Sequence, residues 1–293
     1  MEQNKLSACQ TGAAVSRGEL SARKLIEDTL ESCTSLNKHF NYFINLAGDL
    51  AIEQADAVDV KVKEGEKLPL AGVSLAVKDD FCYKQMPTTF GSMSFKNFYP
   101  PYSAAAVDKL LEAGAVVIGK TNLDDMSMGS KTNTSPFGPS LNPWADNRLA
   151  GSAGAGAVAT GQCLLALESD CGGALRQGAS HCGVVGLRPS MGRISRFGLS
   201  THAPSFGQAG LTAASIEDLK LIIGLLSGYD PRDASTKKYL DYQNETGGNN
   251  NSENIRVGFL PALVDMLDSG QQAILTDMQE RFKARGFSLE ELE

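Results

Sequence analysis

Hydrophobic and polar positions in the first part of the chain alternate with the spacing of amphipathic helices. From residue 6 to about residue 33 the pattern is helical with a break near Gly18, and Ser21 is the expected N-cap of the second helix. The apolar positions of that helix recur at turn spacing at Ala22, Leu25, Ile26 and Leu30. A further helix is predicted over residues 50–62, where a polar segment ends it. These helices are expected to pack around a core.

Apolar runs and helical segments alternate along the rest of the chain. Residues 70–77 form an aliphatic run that predicts a buried strand, which places Lys78 at the carboxyl end of that strand. A helix is predicted over residues 104–113 and a strand over residues 115–119. The later segments are apolar stretches at 161–167 and 183–187, helices at 215–227 and 271–285, and a strand at 255–260. The alternation of strands and helices indicates an α/β fold.

The composition describes a globular chain with an excess of acidic residues. The 293 residues include 42% hydrophobic side chains, enough to bury one substantial core or two small ones. Lys and Arg total 27 against 34 Asp and Glu, a formal net charge of −7, and no block rich in Lys and Arg is present. Because binding to a phosphate backbone needs clustered cations, this chain alone is not expected to grip nucleic acid.

The cysteine pattern and the lack of long apolar runs argue against two further classes of protein. The six cysteines form no C-x-x-C pair and there are only three histidines, which argues against a structural zinc site. No run approaches the roughly 18 apolar residues of a membrane-spanning helix, and no signal-peptide pattern opens the sequence. We therefore expect free thiols, no metal and a reducing compartment.

Glycine is concentrated in one part of the chain. Thirteen of the 30 glycines fall within residues 151–210. Residues 154–159 fit the loose G-x-G-x-x-A pattern of dinucleotide binding. However, the preceding residues 142–149 do not resemble a strand, and Glu168 and Asp170 come too early for the acidic residue that binds the ribose. Nucleotide binding is therefore disfavoured.

A second glycine cluster precedes a predicted helix start. Residues 169–177 have the sequence SDCGGALRQ. Consecutive glycines ahead of a helix leave several backbone N–H groups free to point at one anion, which is how an oxyanion hole is built. On this segment alone an ordinary tight turn is the favoured interpretation, and an oxyanion hole is the alternative.

Nine segments, taken in order, resemble the amidase signature family. They are residues 75–81, 87–89, 114–130, 137–139, 142–144, 151–177, 182–189, 192–199 and 230–233. Within the family, the sequence is most similar to the A-type chains of glutamyl-tRNA(Gln)/aspartyl-tRNA(Asn) amidotransferases. The resemblance covers nearly the whole chain, which makes it far more specific than any single motif.

The resemblance implies a catalytic arrangement of one lysine and two serines. Lys78 matches the family's lysine, which in its unprotonated form takes a proton from a serine held by a cis peptide bond. That serine in turn takes a proton from a nucleophilic serine. Burial is therefore expected to lower the pKa of Lys78. Ser152 is the best match to the bridging serine, and between it and the nucleophile position the chain is a couple of residues shorter than in the family. The alternative for Lys78 is a solvated side chain at a strand end, and the alternative for Ser152 is a plain loop hydroxyl.

The nucleophile position departs from the family pattern. Where the family has a serine after two glycines, this sequence has Ala174, which has no hydroxyl to attack a carbonyl. Cys171, three residues earlier, is a conceivable replacement nucleophile but is expected to contribute its backbone N–H instead. Gly178 stands where the family has a proline, and Gly207 replaces an acidic residue.

The resemblance also implies a substrate cradle that does not need the missing hydroxyl. Cys171, Gly172 and Gly173 are expected to supply the N–H groups of an oxyanion hole. Asp170 and Arg176 are expected to hold this loop as an ion pair. The amide pocket is expected to be lined by Met128, Gly129 and Ser130.

The expected architecture is one amidase-signature domain over residues 1–293. Its core is expected to be a central mixed, mostly parallel twisted sheet flanked by helices on both faces. The expected segments are N-terminal helices at 1–65, a catalytic core at 66–243, a polar linker at 244–253 and the start of the C-terminal part at 254–293. The rest of the family's C-terminal part, which recognises the substrate's amino and carboxyl groups, is expected to be missing.

The function that the resemblance implies is ammonia supply. Such a protein hydrolyses glutamine through an acyl-enzyme and passes the ammonia to a partner that amidates mischarged Glu-tRNA(Gln) or Asp-tRNA(Asn). The expected partners are the B and C subunits of an amidotransferase or their equivalents. The partner is expected to bind the tRNA and to use ATP and Mg²⁺, while this chain needs no cofactor. We expect a cytoplasmic location, or the mitochondrial matrix if the chain is eukaryotic, without membrane contact.

Three functions stay open at the level of the sequence. The first is the glutamine-hydrolysing part of an amidotransferase, whose chemistry is expected to be lost or severely reduced because of Ala174. The second is a non-catalytic protein, natural or engineered, that binds an amide or another subunit. The third is a general amidase that acts on small amides without tRNA.

Overall fold

The chain folds into two compact units. A computed structural model describes residues 6–200, 202–238 and 255–292. Unit 1 is Met1–Tyr242 and unit 2 is Gln243–Glu293. The polar linker predicted at residues 244–253 lies outside the described residues.

Three helices open unit 1, as the hydrophobic spacing predicts. They are α1 (Ala8–Ser16), α2 (Ala22–Phe40) and α3 (Asp49–Lys63). The hydroxyl of Ser21 accepts a hydrogen bond from the Lys24 backbone N–H, which confirms Ser21 as the N-cap of α2. Gly18 has a φ of 73°, a left-handed conformation that glycine adopts at little cost, and it separates α1 from α2.

The remaining elements of unit 1 alternate between helix and strand. The helices are α4 (Ala105–Glu112), α5 (Ala153–Ala159), α6 (Ala174–Cys182) and α7 (Ile216–Leu226). The strands are β1 (Phe43–Leu46), β2 (Ser74–Lys78), β3 (Val116–Thr121), β4 (Leu141–Asn142), β5 (Ala145–Leu149), β6 (Leu165–Asp170), β7 (Val185–Leu187) and β8 (Gln208–Ala213). Short 3-10 turns lie at Met93–Phe95 and Asp125–Ser127.

Six of these strands form one mixed sheet in the order β1-β3-β2-β6-β8-β7. β2 pairs in parallel with both β3 and β6, whereas the three outer pairings are antiparallel. The mixed sheet was expected, but its parallel part is confined to the centre. On one side β1 pairs antiparallel with β3, and on the other side β8 pairs antiparallel with β6. The carboxyl ends of β2, β3 and β6 lie at the same edge, the usual place for a binding site in an α/β sheet.

Side chains on the two faces of the sheet belong to two separate hydrophobic cores. Along β2, Leu75 and Val77 join a core with residues of α4 and α7, whereas Ala76 joins a core with residues of α2, α3 and α5. This alternation follows from the two-residue repeat of a strand. Helices therefore cover both faces, and the α/β fold expected from the sequence is confirmed.

The first predicted strand is shorter than its apolar run. The sequence predicts a strand over residues 70–77, but β2 begins only at Ser74. The Leu70 N–H donates to the carbonyl of Ala113 at 2.8 Å, and Gly72 has a φ of 68°. The run begins with a turn because these residues pack beneath the end of α4, and burial alone does not distinguish a turn from a strand.

Unit 2 contains a pair of parallel strands and two helices. Its elements are β9 (Arg256–Phe259), α8 (Pro261–Val264), α9 (Ser269–Ala284) and β10 (Ser288–Glu291). The two strands pair in register, with Arg256 opposite Ser288. Asp268 and Gln271 form a reciprocal capping box at the start of α9. The predicted strand at 255–260 and helix at 271–285 are both confirmed within one or two residues.

Two further sequence expectations concern thiols and membranes. None of the six cysteines forms a disulfide bond. Among the residues that the structure describes, no helix combines the length and the apolar character that crossing a membrane would require.

Candidate functional site

Lys78 lies at the carboxyl end of β2, as the sequence predicts, and three polar side chains surround its ammonium group. Lys78 Nζ donates to Ser169 Oγ at 2.7 Å and to Ser127 Oγ at 3.2 Å. It also lies 3.3 Å from Asp80 Oδ2. Only 11% of the Lys78 side chain is exposed to solvent. The lysine is thus held inside the sheet edge and is not the solvated strand-end side chain of the alternative interpretation.

Asp80 completes a closed network around Lys78. Its Oδ2 accepts hydrogen bonds from Ser127 Oγ at 2.8 Å and from Ser169 Oγ at 2.5 Å. Each serine hydroxyl therefore donates to the carboxylate and accepts from the ammonium group. These charge-assisted hydrogen bonds are strong ones and hold the ion pair in place, although the second carboxylate oxygen, Asp80 Oδ1, is buried without a hydrogen-bond partner.

The acids around Lys78 favour its protonated form, whereas the mechanism that the family resemblance implies requires the unprotonated form. Burial acts to lower the pKa of Lys78, but the nearby carboxylates of Asp80 and Glu168 outweigh it, and the pKa is raised above its ordinary value. The expectation of a lowered pKa is wrong because it considered desolvation without the two acids. A protonated lysine cannot accept a proton from a serine.

Ser152 does not bridge toward Lys78. It is the N-cap of α5, where its hydroxyl accepts a hydrogen bond from the Ala155 N–H at 3.2 Å and donates to Glu168 Oε1 at 2.5 Å. No peptide bond among the described residues is cis, whereas the family resemblance implies a cis bond at the bridging serine. Ser152 stands directly at a helix start, where the capping interaction fixes its hydroxyl.

Glu168 is a buried carboxyl beneath this loop. Burial raises the pKa of Glu168, although hydrogen bonding from Ser152 and the charge of Lys78 act in the opposite direction. A Cβ at Gly154 would lie 1.9 Å from Glu168 Oε1, so only glycine leaves room for this side chain. A Cβ at Gly178, where the family has a proline, would lie 2.3 Å from the Cβ of Ser152. Two glycines therefore make room for the contact between Ser152 and Glu168.

A cavity of about 170 Å³ opens above Lys78. It is lined by Lys78, Ser127, Gly129, Ser130, Ser169, Cys171, Gly172, Ala174 and His202. A narrower extension, lined in part by Ser152 and Glu168, shares Lys78 and Ala174 with it. The structure thus brings Lys78, Ser152 and the nucleophile position to adjoining cavities, with the Ala174 side chain at the first residue of α6.

The expected oxyanion loop is partly occupied by its own ion pair. Asp170 binds Arg176 through two hydrogen bonds, of 2.9 and 3.2 Å, and it accepts the Gly173 N–H at 2.8 Å. Burial acts to raise the pKa of Asp170, but these hydrogen bonds hold it below its usual value. The expectation that Gly173 contributes to an oxyanion hole is wrong, because its N–H is already used. Gly172 and Cys171 line the cavity.

The segment expected to form the amide pocket is only partly in place. Gly129 and Ser130 line the cavity, whereas Met128 does not and is 63% exposed. Asp124 anchors the segment by accepting backbone N–H groups of Lys131, Thr132 and Thr134. Met128 therefore does not take the lining role expected for it.

Four side chains close to Lys78 or Ser152 were not among the site residues expected from the family motifs. Asp80, Ser127, Ser169 and Glu168 lie within one network or beside it. Asp80 is two residues beyond Lys78, in the turn that follows β2, so its closeness in the chain was a usable signal. The serines have no such signal, because Ser169 is 91 residues from Lys78 in the chain. The described residues contain no cluster of His, Cys, Asp and Glu that could hold a metal ion.

The fold is α/β, and its pocket contains a lysine at the end of a strand. The same pocket contains the start of a helix that follows two glycines. The profile of the Amidase family matches residues 24–293. The chain therefore belongs to this family, the amidase signature family.

Several proteins with high similarity are parts of amidotransferases. The A subunit of glutamyl-tRNA(Gln) amidotransferase from Trichormus variabilis (strain ATCC 29413 / PCC 7937) is 44% identical over 224 residues, covering 75% of this chain and 46% of that protein. The protein of the same name from Prochlorococcus marinus (strain MIT 9303) is 38% identical over 281 residues, covering 94% and 58%. The chain thus spans about half the length of the curated relatives that it matches.

Solved structures include amidotransferase and amidase folds. The A subunit of glutamyl-tRNA(Gln) amidotransferase from Thermotoga maritima has a TM-score of 0.82 at 28% identity, covering 99% of this chain and 61% of that one. Native peptide amidase from Stenotrophomonas maltophilia has a TM-score of 0.86 at 26% identity, covering 99% and 62%. A protein from a vestigial complex related to the origins of an s-triazine catabolic enzyme has a TM-score of 0.88 at 30% identity, covering 98% and 64%.

Proposed function

We propose that this chain is an A-type component of an amidotransferase that keeps an amide-sized pocket but does not hydrolyse glutamine. The observation that carries the proposal is Ala174, which lines the cavity beside Lys78 at the position of the family's nucleophile. A methyl group cannot form an acyl-enzyme. Loss of one member of a catalytic triad leaves only the small residual effect of binding and the oxyanion hole.

The proton relay supports the same proposal. The mechanism that the family resemblance implies needs an unprotonated lysine that accepts a proton through a bridging serine. Lys78 is instead paired with Asp80 at 3.3 Å, and the Ser152 hydroxyl donates to Glu168 at 2.5 Å. Three separate changes therefore act against hydrolysis: the missing nucleophile, the protonated lysine and the diverted serine.

Binding of a neutral amide is compatible with the remaining cavity. Its floor carries Lys78, whose charge is balanced by the buried Asp80, and its walls offer the Ser130 hydroxyl and the backbone of Gly172. Such a surface suits a carboxamide, which both donates and accepts hydrogen bonds. Glutamine is the proposed ligand because the relatives are components of glutamyl-tRNA(Gln) amidotransferases.

The proposed setting is a heteromeric complex. The names of the relatives support the presence of partners, here the B and C subunits or their equivalents. In this proposal, tRNA, ATP and Mg²⁺ are bound by the partner and not by this chain, and the complex works in the cytoplasm or the mitochondrial matrix. The net charge of −7 supports a division in which another protein grips the tRNA.

A glutaminase assay tests the proposal. The unaltered chain, with its partners present, is expected to release no ammonia from glutamine. Ala174→Ser alone is expected to stay silent because Lys78 remains paired with Asp80. Ammonia release by the unaltered chain would contradict the proposal, and loss of that activity in Cys171→Ala would assign it to the thiol.

The peptide amidase neighbours favour a second candidate, hydrolysis of small amides without tRNA. The same assay with a peptide amide in place of glutamine separates the two. Release of ammonia from the peptide amide by the unaltered chain, without any partner, would support the amidase function.

A further inference from the structure

A second, larger cavity lies beside the hairpin of β4 and β5. Its volume is about 490 Å³, a size that suits a small organic ligand. It is lined by Lys131, Asn142, Asn147, Arg148, Leu149, Gly151 and His181. Gly151 also lines the narrow extension of the Lys78 cavity, so the two cavities adjoin at this residue. Glutamine binding above Lys78 does not use this second cavity.

Two cations in this cavity are left without acidic partners. Neither Lys131 nor Arg148 takes part in an ion pair or a side-chain hydrogen bond among the described residues, and no described acid lines the cavity. Elsewhere on the surface, Arg23 and Lys24 are each paired with a carboxylate. In a chain with a net charge of −7, two unpaired cations around one cavity form a local positive region.

The backbone around these side chains is fixed by contacts between distant segments. Asn142 Nδ2 donates to the carbonyl of His181 at 3.0 Å, and Trp144 Nε1 donates to the carbonyl of Cys182 at 2.8 Å. These bonds attach the hairpin of β4 and β5, which carries Arg148, to the end of α6. The Lys131 N–H donates to Asp124 Oδ2 at 2.9 Å. The two cations therefore extend from two anchored segments around one space.

We propose that this cavity binds the phosphate group of a small organic molecule. A guanidinium group presents a planar fork of donors that matches phosphate oxygens, and an ammonium group adds a mobile point charge. Two cations match the charge of a phosphate monoester, which is close to −2 at neutral pH. The Asn147 side chain and the His181 ring add polar groups at the rim.

The test measures binding of glycerol phosphate and of inorganic phosphate to the full chain by isothermal titration calorimetry at constant ionic strength. Saturable binding is expected for the phosphate monoester. Lys131→Gln/Arg148→Gln is expected to weaken it by about tenfold or more, because hydrogen bonds to charged groups are the strong ones. The matched control Lys84→Gln/Lys96→Gln removes the same charge from two exposed lysines outside the cavity and is expected to bind like the parent.

Asn147→Asp provides a second variant, because it places a carboxylate on the lining of the cavity without removing a cation. It is expected to weaken binding as well. Binding of inorganic phosphate with equal affinity would show that the free ion is recognised and not the organic ester. No saturable binding by the parent, or an equal loss in the control pair, would overturn the proposal. Circular dichroism confirms that each variant is folded.

Discussion

The carboxylate of Asp80 lies 3.3 Å from the ammonium group of Lys78, and the hydroxyls of Ser127 and Ser169 bridge the pair. The positive charge of this buried lysine is therefore balanced by the carboxylate of Asp80. A carboxylate this close favours the charged form of the lysine, and in the proposed function it acts against a role as a base.

Asp80→Asn is expected to lower the pKa of Lys78. Burial is the largest influence on this lysine and acts to lower its pKa, whereas Asp80 is the main charge that raises it. Titration of the lysine ε-carbon by NMR measures the change. Asp56→Asn, which removes an exposed carboxylate paired with Arg23, is the control and is expected to leave the Lys78 resonance unaffected. An unchanged pKa in Asp80→Asn would show that the ion pair does not set the charge state.

Lys120→Met is expected to destabilise the protein by about 3–5 kcal/mol. Lys120 Nζ lies 2.7 Å from Asp79 Oδ1, and neither side chain is exposed to solvent. The substitution leaves a buried carboxylate without its partner, which costs more than the pair itself contributes. Urea unfolding measures the free-energy change. Lys24→Met breaks an exposed pair with Asp28 and is expected to change stability little; equal effects of the two variants would contradict the interpretation.

Glu168 is expected to make stability fall as the pH rises above about 4.5, the ordinary pKa of its side chain. Because burial raises the pKa of folded Glu168, the native state holds a proton that the unfolded state has already released. The contribution is complete below that pH and is lost as the pH rises through the folded pKa. Urea unfolding across this range should show a flatter profile for Glu168→Gln, and the same profile as the parent for the exposed Glu66→Gln.

Gly178→Ala is expected to destabilise the protein by about 1–3 kcal/mol, the usual cost of overpacking. Its Cβ would lie 2.3 Å from the Ser152 Cβ and 2.7 Å from the Ser152 backbone nitrogen, and backbone atoms cannot move aside cheaply. Gly224→Ala is the matched control, since a Cβ there meets nothing within 4 Å inside α7. Thermal unfolding is expected to show that the control gains stability, because alanine favours a helix. A stable Gly178→Ala would contradict the tight packing of α6 on Ser152.

Much of the fold was predictable because its signals are local. The Ser21 N-cap, the position of Lys78 after an aliphatic strand and the helix Ile216–Leu226 all depend on neighbouring residues. The turn at residues 70–73 was missed, since an apolar run shows burial but not backbone geometry. The restriction of parallel pairing to the central strands was also not predicted, because it depends on the pairing of β6 with β8, which joins separate parts of the sequence.

The sequence by itself determined the family motifs, the α/β alternation and the absence of a hydroxyl at Ala174, since each is written in residue identity or short-range spacing. Only the tertiary structure decided the charge of Lys78 and the partner of Ser152. These depend on which carboxylates reach them across the sheet edge, Asp80 in one case and Glu168 in the other. A pKa reflects the sum of burial and nearby charges, and that sum exists only once distant strands have come together.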